Sequence, residues 1–335
     1  MTSLHRVLVL GVGSIGERHL RCFQNTGRAE LSFVEINPQL RATIAERYSI
    51  SRHFGSFEDA LSDPPECAVI ATPAPFHIPM AQKLAEAGVQ LLIEKPLSTS
   101  LDGIEQLQAT VQQRGLIASV GYTMRMHPSL IAMQQAIASG RFGKPVQLVA
   151  VTGQNFPTYR PAYRSIYYNN HATGGGAIQD ALTHALNAGE WMVGPIDRLV
   201  VDAAHQVLPD VTVEDTVNLL ARHSDVLASY SLNQHQPANE LTLTVICDKG
   251  MVRFEGHERR WRWTLQPDSG WNDEAIEPFD RDKLYIDQAH AFLDAVEGQP
   301  NRLCSVADAL QTLRVNLAAL ASVRSGRWEA TRPAP

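Results

Sequence analysis

The sequence predicts an α/β protein whose first domain has a doubly wound parallel sheet and whose second domain has a mostly antiparallel sheet. Up to about residue 120, short β-rich runs alternate with helical patterns, and a Gly-x-Gly-x-x-Gly loop follows the first run. After Gly143-Lys144-Pro145, strand patterns succeed one another with few helices between them. The chain has 335 residues, of which 44% are hydrophobic, enough for two cores. We expect domains at residues 1–122 and 123–335.

Each predicted element rests on the spacing of its apolar residues and on the glycines and prolines that bound it. In the first domain we expect strands at 7–10, 31–36, 68–72, 90–94 and 116–121 and helices at 15–25, 39–48 and 78–87. In the second domain we expect helices at about 176–193 and 306–325 and strands at 146–151, 199–203, 212–220, 226–232, 241–247, 251–254 and 261–265.

Composition narrows the class of partner. The net charge is -6 and there is no block of Lys and Arg, so neither a nucleic acid nor a membrane surface is expected as the main partner. We expect the main ligand to be a small molecule. The four cysteines are scattered without Cys-x-x-Cys spacing, which argues against a disulfide framework or a structural zinc site and predicts a cytoplasmic protein. No run approaches the roughly 20 apolar residues needed to cross a bilayer.

The glycine loop predicts a dinucleotide site. Gly11 suits a tight turn, Gly13 allows close approach of a pyrophosphate, and Gly16 lets the following helix pack on the strand. Glu35 ends the next predicted strand, where its carboxylate would accept hydrogen bonds from the adenosine ribose hydroxyls. We therefore expect NAD rather than NADP, although Arg6 or Arg41 could still reach a 2'-phosphate.

Glu94-Lys95-Pro96 directly follows the apolar run 89–93, so Lys95 is expected at the carboxyl end of a strand. Ligands of open α/β sheets bind outside the carboxyl ends of the strands. An ammonium group there can reach both a nicotinamide and a molecule bound against it.

Asp180 and His184 stand four residues apart after three consecutive glycines at 174–176, a spacing that places both on one face of the predicted helix. Apolar neighbours would partly bury that face, so that the two groups perturb one another's titration. An ordinary helical Asp/His pair explains the segment equally well. We expect no metal, because the pair offers two ligands and the chain supplies no obvious third.

The segment 154–168, which follows the predicted domain boundary, is rich in Tyr and Arg. Such loops often carry specificity, and arginines can bind a carboxylate or phosphate with two hydrogen bonds. The alternative is a surface loop, or an arm exchanged across an oligomer.

Together these residues resemble the glucose-fructose oxidoreductase, inositol dehydrogenase and rhizopine-catabolism (Gfo/Idh/MocA) family over almost the whole chain. The matching segments are 11–16, Glu35-Ile36-Asn37-Pro38, Ala71-Thr72-Pro73 with His77, Glu94-Lys95-Pro96, Arg125-Met126-His127-Pro128, 174–184, Val213-Glu214-Asp215 and 322–327.

The resemblance implies a Rossmann domain followed by an α/β domain with an open antiparallel sheet, whose exposed face forms a homodimer or homotetramer. It also implies hydride transfer between NAD and a hydroxyl-bearing carbon of a sugar, a cyclitol or a nucleotide sugar. The chain departs from the family pattern at Leu182, Asn187 and Ala74, which leaves substrate orientation and one cofactor contact unassigned.

The expected contacts follow from the motifs and the resemblance. Cofactor contacts are expected from Gly11, Gly13, Ser14, Ile15, Gly16, Glu35, Thr72, Pro73, His77, Glu94 and Lys95. Substrate contacts are expected from Lys95, Arg125, Tyr163, Arg164, Asp180 and His184.

Three of these residues are expected to be catalytic. His184 would remove the proton of a substrate hydroxyl, and Lys95 would stabilise the developing oxyanion. Asp180 would bind a neighbouring substrate hydroxyl or hold His184 in its working tautomer. Two other functions stay open for this fold: a glycoside hydrolase that retains its NAD, and a regulator that only senses the nucleotide.

Overall fold

The structure of the protein is a computed structural model that describes residues 4–165 and 167–331. In chain order the strands β1 to β16 of this part are His5–Leu10, Ala29–Val34, His53–Phe54, Cys67–Ile70, Gln90–Ile93, Ala118–Val120, Pro145–Gly153, Arg198–Ala204, Thr216–His223, Val226–Asn233, Glu240–Cys247, Gly250–Glu255, Arg260–Thr264, Asn272–Ala275, Cys304–Ser305 and Glu329–Ala330. The helices α1 to α10 are Ser14–Asn25, Pro38–Tyr48, Phe57–Leu61, His77–Glu86, Ile104–Arg114, Pro128–Ala138, Phe156–Tyr159, Thr183–Val193, Arg281–Val296 and Val306–Ser325.

The first sheet is the predicted doubly wound one. Its strand order is β15-β6-β5-β4-β1-β2-β3, and the pairs are parallel except that β15 runs antiparallel to β6 at the edge. β1 lies in the middle, and its residues Val7 to Leu10 are at most 1% exposed because helices cover both faces of such a sheet. All five predicted strands of this half lie within two residues of their observed bounds. The prediction of a Rossmann domain is confirmed.

The second sheet has the order β14-β13-β12-β11-β7-β10-β9-β8-β16. β7 and β10 are its parallel pair and the other pairs are antiparallel, which confirms the predicted mostly antiparallel sheet. The predicted strand at 212–220 instead begins at Thr216. The preceding Val211 and Val213 are drawn into an apolar cluster, and Asp215 accepts hydrogen bonds from a turn, so this segment cannot join the sheet.

The chain forms two compact units, one of residues up to Met126 together with Phe279–Leu310, and one of His127–Pro278 together with residues from Gln311 onward. The predicted boundary at residue 122 assigned everything after it to the second domain. The difference comes from α9, whose apolar face the sequence analysis did not identify. Ala289, Phe292 and Leu293 of this helix are buried in the same core as Phe23 of α1 and strand β1.

Helix α10 has the predicted bounds of 306–325, whereas the predicted helix at 176–193 has two parts. Residues Ile178–Leu182 form a π-helical turn, and α8 follows from Thr183 to Val193. Within the described part of the chain, no helix is both long and apolar enough to cross a membrane.

Candidate functional site

The glycine loop joins β1 to α1 and needs glycine at two positions. Gly11 has φ +79°, a conformation that L side chains rarely adopt. A Cβ on Gly16 would lie 1.8 Å from the carbonyl oxygen of Gly11, so only glycine lets α1 start this close to the strand. α1 begins at Ser14, and the N–H groups of its first turn, which includes Ile15, are the donors that a pyrophosphate requires. The loop therefore fits a dinucleotide.

Glu35 lies beside this loop. Its carboxylate accepts hydrogen bonds from the N–H of Val12 at 3.2 Å and from the N–H of Asn37 at 2.9 Å. Of the two arginines considered for a 2'-phosphate, Arg41 donates to the carbonyl oxygen of Glu35 at 2.7 Å. Arg6 instead donates to the Asp63 carboxylate and to the carbonyl oxygen of Pro64. An acidic group thus stands at the end of β2, with one arginine held next to it.

His77 ties the loop after β4 to the loop after β5. Its ring nitrogens lie 2.7 Å from the carbonyl oxygen of Thr72 and 3.0 Å from that of Pro96, and the side chain is only 1% exposed. Burial lowers the pKa of His77, an effect that these carbonyl contacts partly oppose. The structure thus gives His77 a bracing role between the two loops. Thr72 and Pro73 follow β4 at the same edge of the sheet, and their predicted cofactor contacts stay predictions.

Glu94 and Lys95 follow the last residue of β5, as predicted. Lys95 is partly buried, whereas Glu94 is 5% exposed. One oxygen of the Glu94 carboxylate accepts the N–H of Lys95 at 3.1 Å, and the other lies 2.7 Å from Nε2 of His19 in α1. Although burial raises the pKa of Glu94, the hydrogen bond from His19 and the charge of Lys95 outweigh it, so the net pKa is lowered. The Glu94 carboxylate thus makes internal hydrogen bonds to His19 and to the backbone of Lys95. The sequence analysis did not identify His19 as a partner of Glu94.

In the second unit, Asp180 lies in the π-helical turn and His184 lies in the first turn of α8. Asp180 is 3% exposed, and its carboxylate accepts the hydroxyl of Tyr167 at 2.7 Å. The guanidinium of Arg160 lies 4.0 Å from the same oxygen. His184 is partly buried. π-helical turns are rare in proteins, and those that occur often lie at functional sites. This local geometry therefore agrees with a functional role for the segment.

A second histidine–glutamate pair supports the start of this turn. Glu214 accepts the backbone N–H of Ile178 at 2.9 Å, and its other oxygen lies 2.5 Å from Nε2 of His171. A Cβ on Gly176, which has φ +86°, would lie within 2.8 Å of both carboxylate oxygens. The family segment at 213–215 contains Glu214, but its sequence neighbours gave no signal that it contacts residue 178.

Asp215, which the sequence analysis placed in a family segment without assigning it a role, is a structural residue. It is fully buried and accepts the N–H groups of Gln206, Val207 and Leu208 at 3.0, 2.8 and 2.7 Å. These hydrogen bonds offset its burial and lower the pKa of its carboxyl group.

The described part of the Tyr- and Arg-rich segment, residues 154–165 and 167–168, is folded. α7 and short 3₁₀ turns build it, and an apolar cluster of Phe156, Tyr163, Tyr168, Leu208, Val211 and Val213 anchors it. Tyr163 is 1% exposed and donates its hydroxyl to the carbonyl oxygen of Pro209 at 3.0 Å, so it packs rather than presenting its hydroxyl. Arg164 is half exposed and pairs with Asp210 at 3.2 Å.

Arg125, the remaining predicted substrate contact, is 8% exposed and binds Asp308 at 2.9 Å within the first unit. For Arg125, Tyr163 and Arg164 the structure therefore shows internal contacts, and their predicted substrate contacts stay predictions.

Among the described residues, the group with metal-ligand spacing is His5, Glu66 and Cys67, and neither Asp180 nor His184 belongs to it. Both ring nitrogens of His5 already lie 2.9 Å from a carboxylate, one from Glu66 and one from Glu297. This group is therefore fully explained as an ion-paired histidine.

Two family models match the chain. Residues 5–122 match the oxidoreductase family with an NAD-binding Rossmann fold, and residues 130–253 match the GFO/IDH/MocA C-terminal domain.

The chain is similar to several proteins that are named as dehydrogenases. It is 25% identical to the scyllo-inositol 2-dehydrogenase (NAD(+)) of Bacillus subtilis over 334 residues, which cover 96% of this chain and 94% of that enzyme. It is 26% identical to the inositol 2-dehydrogenase of Rubrobacter xylanophilus over 55% of this chain, and the match spans about half (51%) of that enzyme.

Solved structures share the fold over the whole chain. Levoglucosan dehydrogenase in complex with NADH and levoglucosan has a TM-score of 0.86 at 20% identity, covering 99% of this chain and 100% of that one. The WlbA dehydrogenase of Bordetella pertussis, in complex with NADH and UDP-GlcNAcA, has a TM-score of 0.83 at 23% identity, covering 99% and 100%. At these identities the likeness shows that the folds agree.

Proposed function

Because the chain belongs to the Gfo/Idh/MocA family of NAD-binding oxidoreductases, we propose that it is an NAD-dependent dehydrogenase acting on a CH–OH group of a sugar, a cyclitol or a nucleotide sugar. Relatives named for inositol and levoglucosan support this substrate class.

One observation carries the proposal: Lys95 and the glycine loop emerge at the same edge of one parallel sheet. Leu10, Ile70 and Ile93 pair in register across β1, β4 and β5. The residues that follow them, which begin the glycine loop, the Thr72 loop and the Glu94-Lys95 segment, therefore leave the sheet side by side. This is the edge where open α/β sheets bind their ligands.

The cofactor would be held by the glycine loop, the first turn of α1 and the carboxylate of Glu35. When bound, the nicotinamide supplies the hydride acceptor or donor. In the first unit, the ammonium of Lys95 would bind the substrate oxygen and stabilise the negative charge that develops on it.

In the second unit, the imidazole of His184 would take the proton from the substrate hydroxyl as hydride leaves the carbon. Asp180 would then bind a neighbouring hydroxyl or orient His184. The hydroxyl of Tyr167 and the guanidinium of Arg160 both lie close to the Asp180 carboxylate and would hold it in position for either role.

The test is an assay for NADH absorbance with purified protein, NAD and a panel of inositols, levoglucosan, uronic acids and UDP-sugars at mildly alkaline pH. Sustained NADH release with one class establishes the dehydrogenase. Glycoside cleavage without net NADH release would instead indicate the NAD-retaining hydrolase, since that enzyme returns its cofactor to the starting state. Tight NAD binding with neither reaction would indicate a nucleotide-sensing regulator.

The roles of Lys95 and His184 are tested by alanine substitution. We expect Lys95→Ala to lose about 10²–10³-fold in kcat, as for removal of an oxyanion donor, and His184→Ala about 10²–10⁴-fold, as for removal of a general base. Lys83→Ala and His53→Ala change an exposed lysine and an exposed histidine and serve as controls with unchanged turnover. Turnover near that of the unchanged protein in either test variant would contradict the role assigned to that residue.

We propose that the cofactor is NAD rather than NADP. The carboxylate at the end of β2 supports this choice, since it would repel a 2'-phosphate. Arg41 donates a hydrogen bond to the carbonyl oxygen of Glu35, which supports a structural role for Arg41 at the end of β2 rather than a role in binding a 2'-phosphate.

We propose a homodimer or homotetramer that forms through the second sheet. The outward face of this sheet supports the proposal, because Leu220 of β9 and Leu227 of β10 are 54% and 51% exposed on the same side. Light scattering should give two or four times the 36.9 kDa of one chain, and Leu220→Asp should lower the mass towards that of one chain. A monomeric unchanged protein would contradict the proposal.

We also propose a reducing, cytoplasmic location. The four free cysteines, all of them buried, support it.

A further inference from the structure

We propose that His19 is a positioning residue, which fixes the backbone at Lys95 through the carboxylate of Glu94. This inference rests on the role proposed for Lys95, and it adds a residue of α1 to the machinery that presents the lysine.

The geometry forms an unbroken path from α1 to Lys95. Nε2 of His19 lies 2.7 Å from one oxygen of Glu94, and the other oxygen accepts the N–H of Lys95 at 3.1 Å. The side chains of His19 and Glu94 are 1% and 7% exposed, so water cannot substitute freely for either partner. Each oxygen of the carboxylate thus has one defined donor.

A third element fixes the carboxylate in place. A Cβ on Gly121, just after β6, would lie 2.8 Å from one carboxylate oxygen and 3.2 Å from the other. The N–H of Gly121 also donates to the carbonyl oxygen of Ile93 at 2.7 Å, which holds this glycine next to the end of β5. Glu94 therefore has little room to adopt another rotamer.

The pair is hard to explain by stability alone. Burying a carboxylate and an imidazole costs desolvation energy, and well-packed apolar residues often replace buried ionic pairs without loss of stability. The other ring nitrogen of His19, Nδ1, has no hydrogen-bond partner among the described residues, which adds to the cost. A polar arrangement kept at this cost, directly beside Lys95, indicates a functional reason.

The position of His19 suggests what that reason is. It lies in α1 three residues after Gly16, the last glycine of the loop proposed to bind the dinucleotide. The rings of His19 and Tyr285 of α9 meet in a T-shaped contact at 5.5 Å between centroids, which restricts rotation of the imidazole. The helix that would carry the pyrophosphate and the backbone that carries the lysine are therefore joined by two hydrogen bonds.

The experiment measures Lys95 itself, so it does not depend on finding a substrate. The full chain is trace-labelled with acetic anhydride across a pH series, with and without NADH, and the acetylation of Lys95 is followed by peptide mass spectrometry. Lys83, whose side chain is 56% exposed on α4, is the internal reference in the same sample. NADH affinity, kcat and KM with the best substrate of the panel are measured in parallel.

His19→Leu removes the donor and His19→Gln keeps an N–H near the position of Nε2. We expect His19→Leu to change the labelling of Lys95 by at least about threefold, which corresponds to about 0.7 kcal/mol. Labelling of Lys83 should not change. We expect kcat to fall about 10- to 100-fold, as for a catalytic group misplaced by up to 1 Å, with a small change in KM. His19→Gln should restore most of the Lys95 labelling and most of kcat.

His223→Leu is the matched control. His223 is also 1% exposed, but it lies in the second unit and, unlike His19, bonds through both ring nitrogens, to Tyr230 and to the carbonyl oxygen of Gly194. It should lose stability without changing the labelling of Lys95.

Three results would overturn the inference: unchanged Lys95 labelling and kcat in folded His19→Leu, the same change of Lys95 labelling in His223→Leu, or no restoration by His19→Gln. If His19→Leu does not fold, His19→Gln and His19→Asn decide, because only glutamine reaches the Nε2 position. Equal behaviour of those two variants would then overturn it. Absence of turnover in the unchanged protein would contradict the proposed function instead, while the labelling would still decide the role of His19.

Discussion

Replacing Tyr167 by phenylalanine tests whether the structure places Asp180 for catalysis. The change removes one hydroxyl, which donates to the Asp180 carboxylate at 2.7 Å. Asp180 is 3% exposed, so little water is available to replace the lost donor. Arg160, at 4.0 Å from the same oxygen, remains and keeps a positive charge nearby.

The expected magnitude follows from the kind of hydrogen bond. A hydrogen bond to a charged group contributes about 1.5–3 kcal/mol. Tyr167 is 37% exposed, which favours the lower end of this range. If this energy is lost in the transition state, kcat/KM falls by about tenfold, since about 1.4 kcal/mol corresponds to a factor of ten. Although part of the Tyr167 side chain is exposed, burial around its hydroxyl and the charge of Asp180 raise the pKa of that hydroxyl well above its ordinary value. The hydroxyl therefore stays protonated, and the loss should not depend on pH between 6 and 9.

The assay is steady-state kinetics with the best substrate of the panel, together with the thermal midpoint. Tyr48→Phe is the control, because it removes an equivalent hydroxyl, which donates to the Glu17 carboxylate at 2.9 Å. It should cost similar stability and leave turnover unchanged. The reasoning is refuted if Tyr167→Phe retains kcat/KM within about twofold, or if Tyr48→Phe loses as much activity.

The remaining predictions concern cofactor choice and pH. Glu35→Ser with Ile36→Arg should shift preference from NAD towards NADP, measured as the ratio of kcat/KM for the two cofactors; an unchanged ratio would show that Glu35 is not the determinant. The hydrogen bond to Glu214 raises the pKa of His171 above its ordinary 6.5. The pair therefore stabilises the fold fully below about pH 6.5, and this contribution is lost as pH rises through the raised pKa. The thermal midpoint of His171→Asn should consequently vary less than that of the unchanged protein over this range, and parallel curves would contradict the assignment.

The first sheet could be predicted almost completely from the sequence. Its strands are short buried runs such as Val7 to Leu10, bounded by glycines and separated by amphipathic helices, so local pattern and final structure agree. The glycine loop and Lys95 were predicted for the same reason, since each lies directly after a strand that the pattern locates.

Contacts between distant segments could not be predicted in this way. His19 and Glu94 are 75 residues apart, and His171 and Glu214 are 43 apart, so no local periodicity relates them. Helix α9 was missed because charged residues, among them Asp287 and Asp294, interrupt its apolar residues in the sequence. The π-helical turn at Ile178–Leu182 was read as ordinary α-helix, because a wider turn leaves no mark in residue spacing over one turn.

The return of α9 to the first unit determines when that unit can finish folding during synthesis. Phe23 of α1 packs edge-on against Phe292 at 6.3 Å between ring centroids, and Arg21 binds Asp282. Both partners leave the ribosome only after the whole segment 127–278 has been made. Until then the surface of α1 that carries Phe23 stays open to water. A fragment that stops at residue 126 would expose the same surface permanently, and aggregation rather than cofactor binding is the behaviour to expect of it.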